Sequence, residues 1–202
     1  MSLYLYQTLP KQPDNIFSFS VAWLSAHNPV MPVDKFEASW TTDDYSLVWG
    51  FGEGVQLMPG EIFKAAGLVD ADPLTANSSN FTRDPEPSLS TPHKGPPGPG
   101  ILSIITDATL GHGDFTLGMG ASGSTSLIVS AFPDMTYSFI PQPTYWIAAR
   151  EVNNNRRDHV EAGFILNLET ISMNAQLAFP PHTHIARCTI NRNGQWDIKY
   201  HS

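Results

Sequence analysis

The sequence predicts an all-β fold, with an antiparallel β-sandwich as the expected arrangement and a closed β-barrel as the alternative. Large apolar residues alternate with small or polar ones in many short segments, and this two-residue period is typical of half-buried strands. Turn-forming residues separate these segments at short intervals. Of the 202 residues, 41% are hydrophobic, so residues 1–202 are expected to form one domain with a substantial core.

The first strong alternation lies in residues 17–23, where large apolar side chains occupy one face. Residues 36–40 and 45–49 alternate in the same way, and the acidic turn 42–44 between them predicts a hairpin. Farther along, residues 144–150 and 160–168 are separated by three asparagines at 153–155. Asparagine tolerates left-handed backbone conformations, so a turn is expected between these two strands.

The clearest hairpin signal is Asn193-Gly194, which separates residues 184–192 from residues 195–200. This dipeptide favours a type I′ turn. Shorter strands are expected at 3–8, 55–58, 101–106, 115–118, 125–132, 136–140 and 173–179. One or two helical turns are expected at 61–66. Glycines at 111–123 precede a strand pattern rather than a helix, so hairpin turns or bulges explain them better than a phosphate site.

Residues 67–100 are predicted to be one long loop, because they contain seven prolines and many Ser, Thr and Asn residues. Long segments of this kind inside compact domains are either mobile insertions or functional elements. The loop is therefore interpreted as a mobile insertion or as a lid over a binding site.

Charge and composition exclude several partners. The net charge is −8 and the 11 basic residues are scattered, so neither nucleic acid nor an anionic membrane surface is expected as a partner. No window is apolar enough for a membrane-spanning helix. A single cysteine and the absence of a signal-like start predict a cytoplasmic protein, although the sequons at Asn77 and Asn80 leave a secreted form open. Nothing predicts the oligomeric state, and a homodimer is an open expectation.

His182 and His184 form the one candidate metal pair. In an extended segment both imidazoles would lie on the same face as Cys188, and this face is expected to point inward. Two imidazoles and a thiol can bind zinc-like metals. The pair resembles the opening of a cupin metal site, but no glutamate follows at the cupin spacing. A buried histidine held by hydrogen bonds beside an exposed one is the more ordinary interpretation.

Aromatic residues supply the candidate ligand site. Several strands each contribute a Trp or Tyr, whose rings can stack on a sugar or enclose an apolar ligand. Core packing explains most of these rings equally well. The residues expected to line a ligand site are Trp23, Trp40, Trp49, Tyr145, Trp146 and His184.

In general texture the chain resembles intracellular fungal fruiting-body proteins, a group that includes β-sandwich lectins and a pigment-binding chromoprotein. The resemblance rests on the start at residues 1–6, the near absence of cysteine, the Trp-bearing hairpins and the ending at residues 190–196. It implies a stoichiometric binding role and assigns no functional residue.

Three functions are therefore expected, in order. The first is non-enzymatic binding of an apolar or conjugated, pigment-like ligand in an aromatic-lined site, where the ligand would be a bound organic chromophore. The second is carbohydrate binding by a lectin. The third is a metal-dependent, cupin-like enzyme centred on His182, His184 and Cys188. An enzymatic role is not favoured, because no specific catalytic motif is present.

Overall fold

The computed structural model describes residues 1–7, 18–26, 35–52, 57–96, 98–141, 144–151 and 162–202. These ranges form strands and loops and contain no helical residue, so the prediction of an all-β fold is confirmed. Residues 61–66, expected to be helical, form no helix, and Ile62 forms an isolated β-bridge with Phe164. The strands are β1 Ser2–Gln7, β2 Ser18–Ser20, β3 Leu24–Ser25, β4 Tyr45–Phe51, β5 Gly67–Ala71, β6 Ser78–Thr82, β7 Ser88–Leu89, β8 Leu102–Thr106, β9 Phe115–Ala121, β10 Ser124–Ser130, β11 Thr136–Phe139, β12 Tyr145–Arg150, β13 Met173–Leu177, β14 Ile185–Ile190 and β15 Trp196–His201.

The strands form three sheets and one separate hairpin. The first sheet has the order β13-β12-β1-β3, the central sheet β2-β10-β9-β4-β5, and the outer sheet β11-β8-β6-β7. Strands β14 and β15 pair only with each other and form the C-terminal hairpin. Pairing is antiparallel except between β6 and β8, which are parallel. The predicted sandwich is therefore confirmed, and one strand pair departs from the expected antiparallel arrangement.

The largest core lies between the central and outer sheets. Alternation places Leu47 and Trp49 of β4, and Leu117 of β9, on the face toward the outer sheet. Phe81 and Phe139 of the outer sheet pack in the same core, and both are fully buried. Because burial of each large apolar side chain contributes about 1.5–3 kcal/mol, this interface holds the two sheets together.

The opposite face of the central sheet is covered by irregular segments. Val48 and Ile128 point to this side, where they contact Phe63 and Ile165. Ile165 lies in the segment predicted as a strand at 160–168. Its described part, from residue 162, forms a turn and two isolated bridges rather than a strand. The expected turn at 153–155 lies outside the described residues.

The predicted hairpin of residues 36–40 with residues 45–49 is wrong in its first half. Residues 35–41 form no strand. Strand β4 pairs with β9 on one edge and with β5 on the other. Both edges of β4 are therefore occupied by strands distant in sequence, and no edge remains for residues 36–40.

The prediction of a single loop at 67–100 is also wrong, because β5, β6 and β7 lie within it. The prolines that the structure describes lie in the connections, where no strand hydrogen bond is required of them. Asn77 holds the last connection in place: its amide nitrogen donates to the carbonyls of Gly98 (2.7 Å) and Ile101 (2.8 Å), and its oxygen accepts from the N–H of Gly95 (2.8 Å). One buried amide thus replaces the backbone pairing that prolines cannot supply.

Both glycine-marked turns connect the two strands of a hairpin. Ser122 and Gly123 join β9 to β10 with φ of 48° and 74°, as a type I′ turn requires. At the C-terminal hairpin only Gly194 has a positive φ, 75°, and its N–H donates to the carbonyl of Asn191. The turn is therefore a three-residue loop with glycine in the left-handed position, not the expected type I′ turn.

Candidate functional site

The structure brings together three of the six residues expected to line a ligand site. Trp23 stacks on Tyr145 with ring centroids 5.6 Å apart, and Trp40 lies 5.5 Å from Trp23 and 5.2 Å from Tyr145. The Trp23 side chain is fully buried, and its indole N–H donates to the carbonyl of Ala121 at 2.6 Å. The three rings contact one another, as expected of rings that form part of the core.

Trp146 lies on the other face of the first sheet. Its ring stacks on Tyr6 at 6.1 Å, and Tyr6 accepts a hydrogen bond from the amide of Asn174. Tyr4 lies beside Tyr6, 6.3 Å away. Trp146 therefore belongs to an aromatic row separate from Trp23.

Burial raises the pKa of Tyr4 from 10.0 to about 12, with a further increase from Tyr6 and an opposing effect of Arg150. Between pH 10 and 12 the unfolded chain loses this phenolic proton while the folded chain keeps it. Stability is therefore expected to be complete below pH 10 and to fall as pH rises toward 12, by up to about 2–3 kcal/mol from this group. Denaturant titrations across this range should show a shallower fall for Tyr4→Phe; an unchanged slope would contradict the assignment.

The two histidines are not arranged as the metal hypothesis requires. Pro180 and Pro181 begin a turn, in which the N–H and hydroxyl of Thr183 donate to the carbonyl of Pro180. His182 has a φ of 64° and is exposed, and His184 is exposed at the start of β14. The expectation that both imidazoles face inward is therefore wrong.

Cys188 does face inward, and burial raises the pKa of its thiol. Within the described ranges, no group of three or more His, Cys, Asp or Glu side chains is placed to hold a metal ion. The metal site stays a prediction, and no cluster of ligands supports it.

Trp49, the last tryptophan of the predicted ligand site, lies behind a surface cleft that the sequence analysis did not predict. The ring of Phe51, 65% exposed, packs edge-on against Trp49 at 5.4 Å. Phe115 lies beneath it at 5.9 Å. The cleft has a volume of about 420 Å³ and is lined by Phe51, Gly52, Arg83, Asp84, Pro85, Pro87, Asp114 and Phe115.

Two sheets build this cleft at one end of the sandwich. Phe51 ends β4 of the central sheet, and the wall at residues 83–87 is the connection between β6 and β7 of the outer sheet. Gly52 fixes the floor: its N–H donates to the carbonyl of Asp114 at 2.8 Å, and a Cβ there would lie 2.2 Å from the carbonyl oxygen of Gly113. Only glycine permits this close approach.

The polar groups of the cleft are an ion pair and a second carboxylate. Arg83 lies 3.5 Å from Asp114, with both side chains about half exposed, and Asp84 lines the same wall. Such exposed pairs contribute little to stability. They present hydrogen-bond donors and acceptors beside an exposed aromatic ring.

One signal in the sequence could have pointed to Phe51. The alternation of Tyr45, Leu47 and Trp49 continues by one more step to Phe51, directly before a glycine. An aromatic residue at the end of an inward face must emerge at the mouth of the sandwich. Nothing in the sequence indicates that Arg83 and Asp114 would meet it.

The comparisons with known proteins give the family. A profile of the family described as RhiA matches residues 1–201. The chain belongs to the RhiA family. It is 29% identical over 197 residues to Protein RhiA of Rhizobium leguminosarum bv. viciae, covering 98% of this chain and 80% of that protein. No solved structure matches the chain.

Membership of the RhiA family corrects the resemblance suggested by the sequence. The proposed likeness to fungal fruiting-body lectins and chromoproteins is wrong, because the RhiA profile spans nearly the whole chain and the matching relative is bacterial. The texture that prompted it, aromatic-rich hairpins with little cysteine, is a general property of β-sandwiches and identifies no family. Within the described residues, no helix is long and apolar enough to cross a membrane.

Proposed function

We propose that this RhiA-family chain is a non-enzymatic carbohydrate-binding protein whose site is the Phe51 cleft. The observation that carries the proposal is the ring of Phe51, which stands 65% exposed at the cleft. Removing an exposed aromatic ring from water is favourable, so a ligand that covers the ring gains binding free energy. The C–H face of a sugar ring is one such contact.

The polar groups of the cleft favour a polyhydroxylated, uncharged ligand. The carboxylates of Asp84 and Asp114 accept hydrogen bonds from hydroxyl groups, and the guanidinium of Arg83 donates them. Because two carboxylates stand beside one guanidinium, the cleft carries a net negative charge, which disfavours an anionic ligand.

A conjugated apolar ligand receives less support than a sugar. The rings of Trp23, Trp40 and Tyr145 contact each other at 5.2–5.6 Å, so a ligand among them would have to displace these contacts. That hypothesis stays a prediction, tested by mass spectrometry of organic extracts of the native protein. The absence of an enzymatic role and a cytoplasmic location stay predictions in the same way.

A glycan array followed by calorimetric titration of the best ligand tests the proposal. Phe51→Ala is expected to weaken binding at least tenfold, about 1.4 kcal/mol, because the stacking surface is lost. Stability should change little, since the side chain is exposed.

Phe132→Ala is the matched control, because Phe132 is also exposed but does not line the cleft. It should bind like the parent. A silent array, or equal affinity of parent and Phe51→Ala, would refute the proposal.

A further inference from the structure

The C-terminal segment differs in charge from the rest of the chain. The whole chain carries 11 Lys and Arg against 19 Asp and Glu, whereas residues 171–202 carry three basic residues and one acidic residue. The basic residues are Arg187, Arg192 and Lys199, and Asp197 is the acidic one. Three of the seven histidines also lie in this segment. The C-terminal segment therefore carries a net positive charge, whereas the chain as a whole is acidic.

The register of the hairpin places two cations side by side. Arg187 of β14 is directly opposite Lys199 of β15. Both side chains point outward and are exposed, while Ala186, Cys188 and Ile198 pack inward. Like charges directly opposite on two strands destabilise a sheet. A pair that costs stability in this way is expected where the positive charge serves a partner.

Nothing within the described residues neutralises both cations. Arg187 has no carboxylate within salt-bridge distance in this part of the chain, and Lys199 has only Asp197, at 3.7 Å and exposed. His184 and His201 lie next to the pair at the base of the hairpin, where the N–H of His184 donates to the carbonyl of His201. The two cations therefore remain available to an external anion.

A second cleft adjoins the cation pair at the tip of the hairpin. It has a volume of about 610 Å³ and is lined by Thr189, Ile190, Asn191, Gln195, Trp196 and Asp197. Thr189 and Asp197 are cross-strand partners, two positions from Arg187 and Lys199. Hydroxyl, amide and carboxylate groups thus lie directly beside the two cations.

From this arrangement we infer that the outer face of the C-terminal hairpin binds an acidic polysaccharide. Arg187 and Lys199 hold its carboxylate or sulfate groups, and the tip cleft accepts its hydroxyl groups. Ile185, 55% exposed and opposite His201, offers an apolar surface at the other end. The six-residue strands give a track about 20 Å long, which suits an extended chain.

The number of cations argues against two other polyanions. Strong binding to duplex nucleic acid uses about 6–10 phosphate contacts, and membrane-binding segments carry about 4–8 Lys or Arg. The hairpin carries three basic residues, and Asp197 beside them would repel a dense row of phosphates. A polymer with spaced charges and many hydroxyl groups fits this composition better.

This surface is independent of the Phe51 cleft. The hairpin belongs to the same hydrophobic cluster as Tyr45 and Ala121, which pair with each other at the start of β4. Phe51 is six residues away at the end of β4, about 20 Å along the strand. Variants of one surface should therefore leave the other unchanged.

The test measures binding of the full chain to immobilised hyaluronan (carboxylate), dextran sulfate of low sulfate content (spaced sulfate groups) and neutral dextran. The parent is expected to bind at least one charged polymer, more weakly at higher salt, and to bind neutral dextran far less. The double variant Arg187→Gln, Lys199→Gln should lose at least tenfold in affinity. Lys64→Gln with Lys94→Gln removes the same charge from two other exposed positions and should keep the parent's affinity.

The relative affinity for hyaluronan and dextran sulfate identifies the anionic group, and a preference for either supports the inference. The inference is overturned by equal affinities of the two double variants, or by neutral dextran binding as well as the charged polymers. Tighter binding of duplex DNA or of anionic lipid vesicles would also overturn it. Phe51→Ala should behave like the parent here, so failure of the Phe51 proposal is distinguishable.

Discussion

Replacement of Trp23 by alanine is expected to lower the free energy of unfolding by about 3–5 kcal/mol, the usual cost of removing a large buried aromatic side chain. Trp23 is fully buried and stacks on Tyr145 of the first sheet. Its indole N–H also donates to the carbonyl of Ala121 at the end of β9. The residue therefore joins the first and central sheets through packing and through one hydrogen bond.

Urea titration monitored by circular dichroism measures this loss. Trp40→Ala is the matched control, since Trp40 contacts the same rings but is only half-buried. Its loss should be clearly smaller. Trp23→Phe should fall between the two, because it keeps most of the packing and loses the hydrogen bond, which contributes about 1 kcal/mol. Equal losses for Trp23→Ala and Trp40→Ala would show that Trp23 does not join the sheets.

Alternation predicted strands most directly where only one face of a strand pair is buried. Strands β14 at Ile185–Ile190 and β15 at Trp196–His201 alternate between exposed and half-buried residues, and they match the predicted ranges 184–192 and 195–200 to within two residues. In such strands every second side chain enters a core, and the sequence records that period directly. The hairpin at Gly194 was predictable for a local reason, the left-handed φ that glycine adopts without cost.

Pairing between distant strands was not predictable, because alternation does not specify the partner. Residues 36–40 alternate as clearly as residues 45–49, yet β5 and β9 occupy the edges of β4. In residues 67–100 the many prolines led to the prediction of a loop, although three strands lie there. Proline excludes a hydrogen-bonded strand position only at its own residue, so a high proline content over a long range does not exclude short strands.

The candidate sites were partly predictable for the same reason. Trp23, Trp40 and Tyr145, which were expected at one ligand site, do lie together, whereas Trp49 and Trp146 belong to other hydrophobic clusters. The cleft depends on Phe51, Arg83 and Asp114 meeting at one end of two sheets, which is a property of topology. The inward orientation expected of His182 failed because the prolines before it begin a turn.

Replacement of Asn77 by alanine is expected to cost about 3 kcal/mol, the second large stability effect. Asn77 is 1% exposed, and its side chain makes three hydrogen bonds to the backbone of residues 95–101. A net contribution of about 1 kcal/mol for each bond gives this sum. The same amide belongs to a glycosylation sequon, but it is buried and occupied, so a glycan at Asn77 is incompatible with this fold.

Two further variants separate the hydrogen bonds of Asn77 from a general effect of substitution. Asn77→Asp keeps the acceptor for the N–H of Gly95 but loses both donors, so it should also destabilise the protein. Asn80→Ala, at an exposed position of the neighbouring sequon, should change stability by less than about 0.5 kcal/mol. Hydrogen exchange should increase at Gly95 in Asn77→Ala, because that N–H loses its acceptor. If exchange there stayed slow and the stability loss matched that of Asn80→Ala, prolines alone would hold the connection, and the buried amide would have no structural role.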